Sequence, residues 1–399
     1  MTPSPSSGAE RGPRSDSLRV PLRPQCANPK FVGINHSPVR MPEVKVDEKV
    51  LDRICLAVGS FTKGKSSGAT GCTGYGGSGN FHVSMDPPND DLLLRAAIRN
   101  NSPQAVSALS MLLEFAASRG VIAPRYLRTL DGQLFAKEEN SAVSWVCFPF
   151  IASEGFFSGT EEEQRTVGAE IGRLHRALKE FASDPSSSEL VALLKGNNAS
   201  IPNSPGTTCE MFDDIIQRAN LAPSDDARTE VLAQASAARH ALVVLEELRS
   251  VAEKASESFT QLIHRDLHPH NVLKLSTIGG ARGAILDFDD VAFGSVYNDL
   301  GYALHAFVRQ GCHHHGAKNA GAFAKAFLAG YSSTNPEVPI DGPAITYQVL
   351  NECFRRGMKA LRERYVDGSM RLDPSFIRKH MHFPGEVLFI AEQAGLLGK

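Results

Sequence analysis

The stretch that most limits what this chain can fold into is Leu262-Ile263-His264-Arg265-Asp266-Leu267-His268-Pro269-His270-Asn271-Val272-Leu273, an H-x-D-x-x-x-x-N sequence between two apolar runs. Sixteen residues after Asn271 stands Asp287, where the apolar Ile285-Leu286 runs into Asp287-Phe288-Asp289-Asp290. Two short buried strands would bring the loop between them and the exit of the second together. The residue types then have a chemical reading. Asp266 is a carboxylate able to orient and deprotonate a hydroxyl. Asn271 and Asp287 offer one neutral and one charged oxygen, the hard ligands that Mg²⁺ prefers while it bridges nucleotide phosphates. Asn271 lies five positions after Asp266, so a short loop can put base and metal ligand on two sides of one phosphate.

The pair resembles the catalytic loop and metal-binding strand end of kinases, with Asp287-Phe288-Asp289 standing where protein kinases have Asp-Phe-Gly. It is closer to the aminoglycoside phosphotransferase and choline kinase-like family, whose loop commonly reads H-G-D-x-H-x-x-N before an I-D-F-D strand end. His268 replaces the lysine of protein Ser/Thr kinases, the glycine after Phe288 is missing, and no Ala-Pro-Glu follows. The resemblance implies a bilobal α+β protein-kinase-like fold, with a small strand-rich N-lobe at 40–147 and a larger helical C-lobe at 148–399. It covers roughly residues 70–310. It implies an ATP-dependent phosphotransferase, with Asp266 as base and Asn271 and Asp287 on Mg²⁺. The acceptor would be a small-molecule hydroxyl: an amino alcohol, amino acid, sugar or aminoglycoside-like compound. A protein Ser/Thr kinase and a catalytically degenerate binding module are the alternatives.

Further pieces follow from the same resemblance. His264 would pack under the loop, and Asp299 in Tyr297-Asn298-Asp299-Leu300 would brace it. Val167–Leu178, with Leu174-His175, is similar to the family's helix ending in a Leu-His pair, though His175 itself reads as a satisfied structural histidine. Val146-Cys147-Phe148-Pro149-Phe150 looks like the linker whose backbone binds adenine, which makes Val146 and Phe148 nucleotide-site residues. Arg95 sits where the family places a phosphate-pairing Lys or Arg, and Glu114 is the only carboxylate on the next helix able to partner it, about one turn late.

Gly74-Tyr75-Gly76-Gly77-Ser78-Gly79 is a literal G-x-G-x-x-G. The strand-like Phe81–Met85 follows it, so Gly74, Gly76, Gly77, Ser78 and Gly79 fit a phosphate-covering hairpin and not a Rossmann turn, which needs a helix there. Gly59–Ser66 matches the Walker A pattern, but the Ser67-Gly68-Ala69-Thr70-Gly71 that follows will not form the helix a P-loop requires.

Periodicity supplies the rest. A helix is expected over Val46–Val58, which Gly59 could end, and Ser60–Gly79, dense in Gly, Ser and Thr, cannot be a regular helix. A hairpin joins Phe81–Met85 to Leu92–Ala96, followed by a helix over Pro103–Ser118 and strands at Leu134–Ala136 and Val143–Phe150, where Trp145 reads as core. Thr160 with Glu163 is a capping box opening a helix. Residues 181–208 read as loops, Asp225–Ser256 as one or two helices, Gln261–Asp290 as strand, loop, strand, and the remainder as helices. His313-His314-His315, between Gly311 and Gly316, reads as an exposed turn.

Composition sets the class. The 399 residues are 42% hydrophobic and 22% charged, with a formal charge of −2, so no global field argues for nucleic acid or an anionic membrane. No apolar run is long enough to span a bilayer. Seven scattered cysteines without a CxxC pair read as reduced thiols of a cytoplasmic protein. Residues 1–39 read as a disordered tail, with a transit peptide left open by Arg11, Arg14, Arg19 and Arg23. The oligomeric state is not encoded in any motif.

Overall fold

The structure is a computed structural model that describes residues 48–73, 79–97, 102–137, 144–196, 208–221, 227–368 and 373–397. It opens with helix α1 (Glu48–Phe61), which lies against a five-stranded antiparallel sheet of β1 (Ser66–Thr73), β2 (Gly79–Met85), β3 (Leu92–Ala97), β4 (Ala136–Lys137) and β5 (Ser144–Pro149). The spatial order is β1-β2-β3-β5-β4, with helix α2 (Pro103–Ser118) crossing between β3 and β4. Strand alternation sorts the side chains. Leu92, Leu94, Trp145 and Cys147 pack with Ile54, Val58 and Phe61 of α1. Leu93, Val146 and Phe148 pack on the other face with Val106 of α2, and alternation puts Arg95 on that same face.

One expectation is corrected here. Gly59 does not end α1, which continues to Phe61, since Gly59 keeps a helical backbone and supplies no left-handed cap. The glycine-rich stretch beyond it forms a strand, β1. Its glycines weaken intrinsic strand preference, but a ladder with β2, pairing Thr70 with His82 and Ala69 with Val83, overrides that preference. Gly59–Ser66 thus runs from a helix end into a strand, so no helix follows the Walker-like sequence. The hairpin β2–β3, α2 over Pro103–Ser118 and Trp145 in the core fall where the sequence puts them; Ser102 caps α2.

The remainder is mainly helical: α3 (Glu161–Ser183), α4 (Ser188–Gly196), α5 (Thr208–Leu221), α6 (Arg228–Ala237), α7 (Arg239–Ser258), α8 (Val296–His315), α9 (Ala320–Thr334), α10 (Gly342–Tyr365) and α11 (Pro374–Ala394). Four short strands sit among them. β6 (Thr260–Ile263) pairs with β9 (Ala292–Ser295), and β7 (Val272–Thr277) forms a hairpin with β8 (Gly280–Ile285). The segment read as strand, loop, strand therefore holds three strands, because a Gly279-Gly280 turn splits its second half. Within the expected loop 181–208, α4 forms because Val191 and Leu194 are buried in the main core; the Ser and Pro residues beside them masked that stripe. The three histidines 313–315 are the last helical turn of α8, ended by Gly316 at φ 94°, and not a free turn.

Two local devices hold α3 in place. Thr160 and Glu163 form the expected capping box, and Glu163 also accepts from Ser158 Oγ (2.6 Å), Gly159 N (2.8 Å) and Lys274 Nζ (2.9 Å). Further along, α3 crosses α9 at backbone contact. A Cβ on Gly168 would stand 2.0 Å from Phe327 O, and one on Gly330 2.0 Å from Arg165 O.

Gly168→Leu or Gly330→Val should force the helices apart and cost about 3 kcal/mol or more of unfolding free energy in urea titration, at the upper end of overpacking effects. Burial opposes ionisation of Glu163, but the bonds from Ser158, Lys274, Thr160 and Gly159 hold its carboxyl down at about 2, from an ordinary 4.5. Its contribution is thus complete above pH 4.5 and lost as pH falls toward about 2. Acid titration of Glu163→Gln should show a shallower loss of stability across that window than the parent.

Candidate active site

The loop between β6 and β7 turns on Arg265, which has φ 72°, in the left-handed region that costs a non-glycine residue about 1–2 kcal/mol. A single buried carboxylate holds it there. Asp299, in the first turn of α8 and 0% exposed, accepts from His264 N (2.5 Å) through Oδ2 and from Arg265 N (2.7 Å) through Oδ1. His175 of α3 lies under it, Nε2 at 3.3 Å from Asp299 Oδ2 and Nδ1 at 3.0 Å from Tyr331 OH on α9. Asp299 braces the loop and His175 is structural, as the sequence suggested.

His264 is wholly buried below the loop. Its Nδ1 accepts from Asp266 N (3.3 Å) and its Nε2 donates to Leu286 O (2.9 Å), the tautomer of a neutral ring. Burial pushes its pKa down against the pull of Asp299, the Leu286 carbonyl, Asp266 and Asp287. Leu286 N in turn donates to Asn271 O (2.8 Å). The loop and the strand end before Asp287 are therefore stitched together from both sides.

Asn271 donates through Nδ2 to Asp266 O (2.9 Å) and Oδ2 (3.1 Å), which leaves its Oδ1 as the atom able to ligate a cation. His268 Nε2 lies 3.4 Å from Asp266 Oδ2. Burial works against ionisation of Asp266, yet the hydrogen bond and charge of His268, with Arg356 and His264, hold its pKa below the ordinary 3.8. Asp266 is thus a carboxylate at neutral pH. Asp287 leaves β8 with φ 61° and its side chain 43% exposed.

Arg95 reaches across from β3 to this strand end. Its NH1 donates to Asp287 Oδ1 (3.4 Å) and Asp289 Oδ1 (3.3 Å), and its NH2 pairs with Asp289 Oδ2. Arg95 does not pair with Glu114, in keeping with the one-turn offset of Glu114 from the family's pattern. Glu114 lies on the exposed face of α2, opposite the buried stripe of Leu109, Leu112, Leu113 and Ala116, and accepts from Ser110 Oγ (3.3 Å). Val146 and Phe148 are buried on the Arg95 face of the sheet, Val146 directly paired with Arg95. Gly79 opens β2; Gly74, Gly76, Gly77 and Ser78 lie outside the described residues.

Sequence reading missed three neighbours. Tyr126, packed on Phe148 at 4.7 Å, is pushed up in pKa by burial and by the charges of Asp289 and Asp287, against Arg95. It comes from an irregular segment without periodicity. Arg356 and Glu352 lie on α10, where helical spacing alone gave no reason to single them out; Arg356 Nε is 2.5 Å from Glu352 Oε1.

A strand-rich lobe and a helical lobe meeting at an H-x-D-x-x-x-x-N loop and an aspartate strand exit define a protein-kinase-like phosphotransferase. The chain belongs to the phosphotransferase enzyme family, APH, whose profile matches residues 76–339. As a member of that family it is a phosphotransferase. Among solved structures it is similar to an aminoglycoside phosphotransferase from Alicyclobacillus acidocaldarius, with TM-score 0.58 and 13% identity over 89% of this chain and 97% of that one. A spectinomycin phosphotransferase bound to ADP and spectinomycin gives 0.57 and 15%, over 88% and 100%. An amicoumacin kinase with AMP-PNP and Ca²⁺ gives 0.52 and 13%, over 86% and 93%. At such identities the likeness is one of fold. Curated protein sequences return no match. Among the described residues no helix is long and apolar enough to cross a membrane.

Asp299→Ala should leave two buried amide donors unsatisfied and release Arg265. A loss of about 3 kcal/mol in chemical denaturation is expected, at about 1–3 kcal/mol per stranded donor, with a fall in turnover larger than the stability change explains at low temperature.

Proposed function

We propose that this protein transfers the γ-phosphate of ATP to a hydroxyl of a small molecule, in the range of amino alcohols, amino acids, sugars and aminoglycoside-like compounds, in the cytoplasm. The observation that carries the proposal is the Asn271 amide turned onto Asp266 while Leu286 N binds Asn271 O, which puts base, neutral oxygen and the Asp287 carboxylate on one stitched frame. The aminoglycoside, spectinomycin and amicoumacin enzymes of like fold support it.

The donors fit a hard cation. Asn271 Oδ1 and the half-exposed Asp287 carboxylate are both oxygens, and Mg²⁺ is commonly held by one or two such groups plus substrate phosphates. When bound there it would neutralise charge on the transferring phosphoryl group. ATP would lie between the 40–147 and 148–399 lobes. Gly74, Gly76, Gly77, Ser78 and Gly79 would cover the phosphates, Arg95 would pair with them, and Val146 and Phe148 would back the adenine. Asp266 orients the acceptor hydroxyl and takes its proton as the acceptor oxygen bonds to the γ-phosphorus and the bridge to ADP breaks.

Asp266→Asn should lower kcat by about 10²–10⁴-fold, the usual reach of general-base catalysis, while ATP affinity changes less than about threefold. The assay is ADP release with Mg²⁺ and a panel of hydroxyl metabolites, beside ATP binding by calorimetry. Undiminished turnover by Asp266→Asn sinks the mechanism. Label passing to added protein would favour a protein kinase, and binding without any Asp266-dependent turnover a binding module.

A further inference from the structure

Asn271 is not the only side chain that meets the Asp266 carboxylate. His268, two residues after it, has a ring with both nitrogens committed. Nδ1 accepts from His270 N (3.2 Å), which caps the short helical turn Pro269–Asn271. A neutral ring that accepts at one nitrogen carries its proton on the other, so Nε2 is the donor. That Nε2 lies 3.4 Å from Asp266 Oδ2. The ring also stands edge-on to His270, with centroids 5.7 Å apart, and His270 stands edge-on to Phe156 at 5.2 Å. Backbone and neighbouring rings thus fix the imidazole before any substrate arrives.

The two oxygens of Asp266 are therefore unequal. Oδ2 has Asn271 Nδ2 at 3.1 Å and His268 Nε2 at 3.4 Å. Oδ1 has no hydrogen bond or ion pair among the described residues, and the side chain is 27% exposed. The last torsion of an aspartate is broad, so a carboxylate held by one donor can exchange its oxygens by rotation. Asn271 gives Oδ2 a single hydrogen, because its other one goes to the Asp266 carbonyl (2.9 Å). His268 supplies the second donor, from a ring that is already anchored. Lysine's flexible stem could follow a phosphate from this position, whereas a ring tied at Nδ1 keeps Nε2 on the carboxylate.

We infer that His268 is a positioning residue: it pins Asp266 Oδ2, so that the base presents Oδ1 as the atom that takes the acceptor's proton. The inference rests on the phosphotransferase reading with Asp266 as base. In the transfer the acceptor oxygen bonds to the γ-phosphorus and the bridge to ADP breaks. The hydroxyl proton goes to Oδ1, while Oδ2 keeps both donors. A base held in one orientation meets the hydroxyl in the reactive geometry more often than one free to turn.

Two substitutions separate the ring's two bonds. His268→Asn sets an amide oxygen at the place of Nδ1 and keeps the cap, but is too short to reach Asp266. His268→Gln carries an amide nitrogen to the place of Nε2 and gives up the cap. With the full chain, ADP release is followed with Mg²⁺, ATP and each of ethanolamine, L-serine, glucose and kanamycin, and with water alone as acceptor. AMP-PNP binding by calorimetry and thermal melting are read beside it. His268→Asn should lower kcat about 10-fold, the lower end for a bond to a charged group, as the long contact warrants. KM for ATP and AMP-PNP affinity should stay within about twofold of the parent, since the lost bond is to the base. His268→Gln should keep the higher kcat of the two although it melts lower. Placed on Asp266→Asn, the His268→Asn change should cost less than about twofold more, because its effect passes through that carboxylate. The inference is overturned if kcat follows melting temperature instead, which would leave the ring only its capping role. A full loss in the Asp266→Asn background, or an AMP-PNP affinity that falls as much as kcat, overturns it equally, the latter assigning the ring to the nucleotide. Should one variant fail to fold, the other against the parent decides: kcat down 10-fold for Asn, or kept within about threefold for Gln. Absence of any Asp266-dependent turnover would sink the phosphotransferase reading and this inference with it, whereas the other outcomes strike the inference alone.

Discussion

The site depends on one buried carboxylate. Asp299 spends both oxygens on consecutive backbone amides, and only that pairing keeps Arg265 in a left-handed conformation it would otherwise avoid. From that bend the other contacts follow. His264 is driven under the loop, where its two ring nitrogens join Asp266 N to Leu286 O. Asn271, five residues on, then meets Asp266 with its amide nitrogen and turns its oxygen outward. Asp299 has its own support in His175 and Tyr331, so the catalytic loop rests on the α3–α9 crossing, whose close approach Gly168 and Gly330 permit.

The lobes meet through apolar packing of α2 in the main core and through one charged bridge at the site. In this chain Arg95 bridges from the sheet to Asp287 and Asp289. Asp289, the carboxylate that stands where protein kinases have glycine, thereby takes the charge that α2 does not provide. Tyr126, packed on Phe148, sits beside the pair and feels both aspartates. Both lobes therefore converge on the segment 287–289, the sheet through Arg95 and the loop through His264 and Leu286.

Much of this was legible before any coordinates. The loop motif, the strand exit at Asp287, the bracing Asp299 and the capping box at Thr160 are local patterns: each needs particular residue types at fixed spacing, and spacing survives in one dimension. Helices with strong apolar stripes, such as α2 and α3, read equally well. What went unread has a different cause. β1 is glycine-rich and takes its strand state from pairing with β2, and α4 owes its helix to a core that Ser188–Gly196 cannot reveal alone. Gly59 carried a helix-ending signal that tertiary packing did not use.

The sequence by itself determined the chemistry: which side chains can act as base and oxygen ligand, and that they belong to a kinase-like loop, because reaction chemistry demands residue types at short range. Only the tertiary structure decided who meets whom at long range. It paired Arg95 with Asp289, 194 residues away, in place of Glu114, and it set His175 and Asp299, from two different helices, against each other under the loop. Such meetings depend on which face of each element is buried and on charges balancing through space, and neither leaves a fixed spacing in the chain.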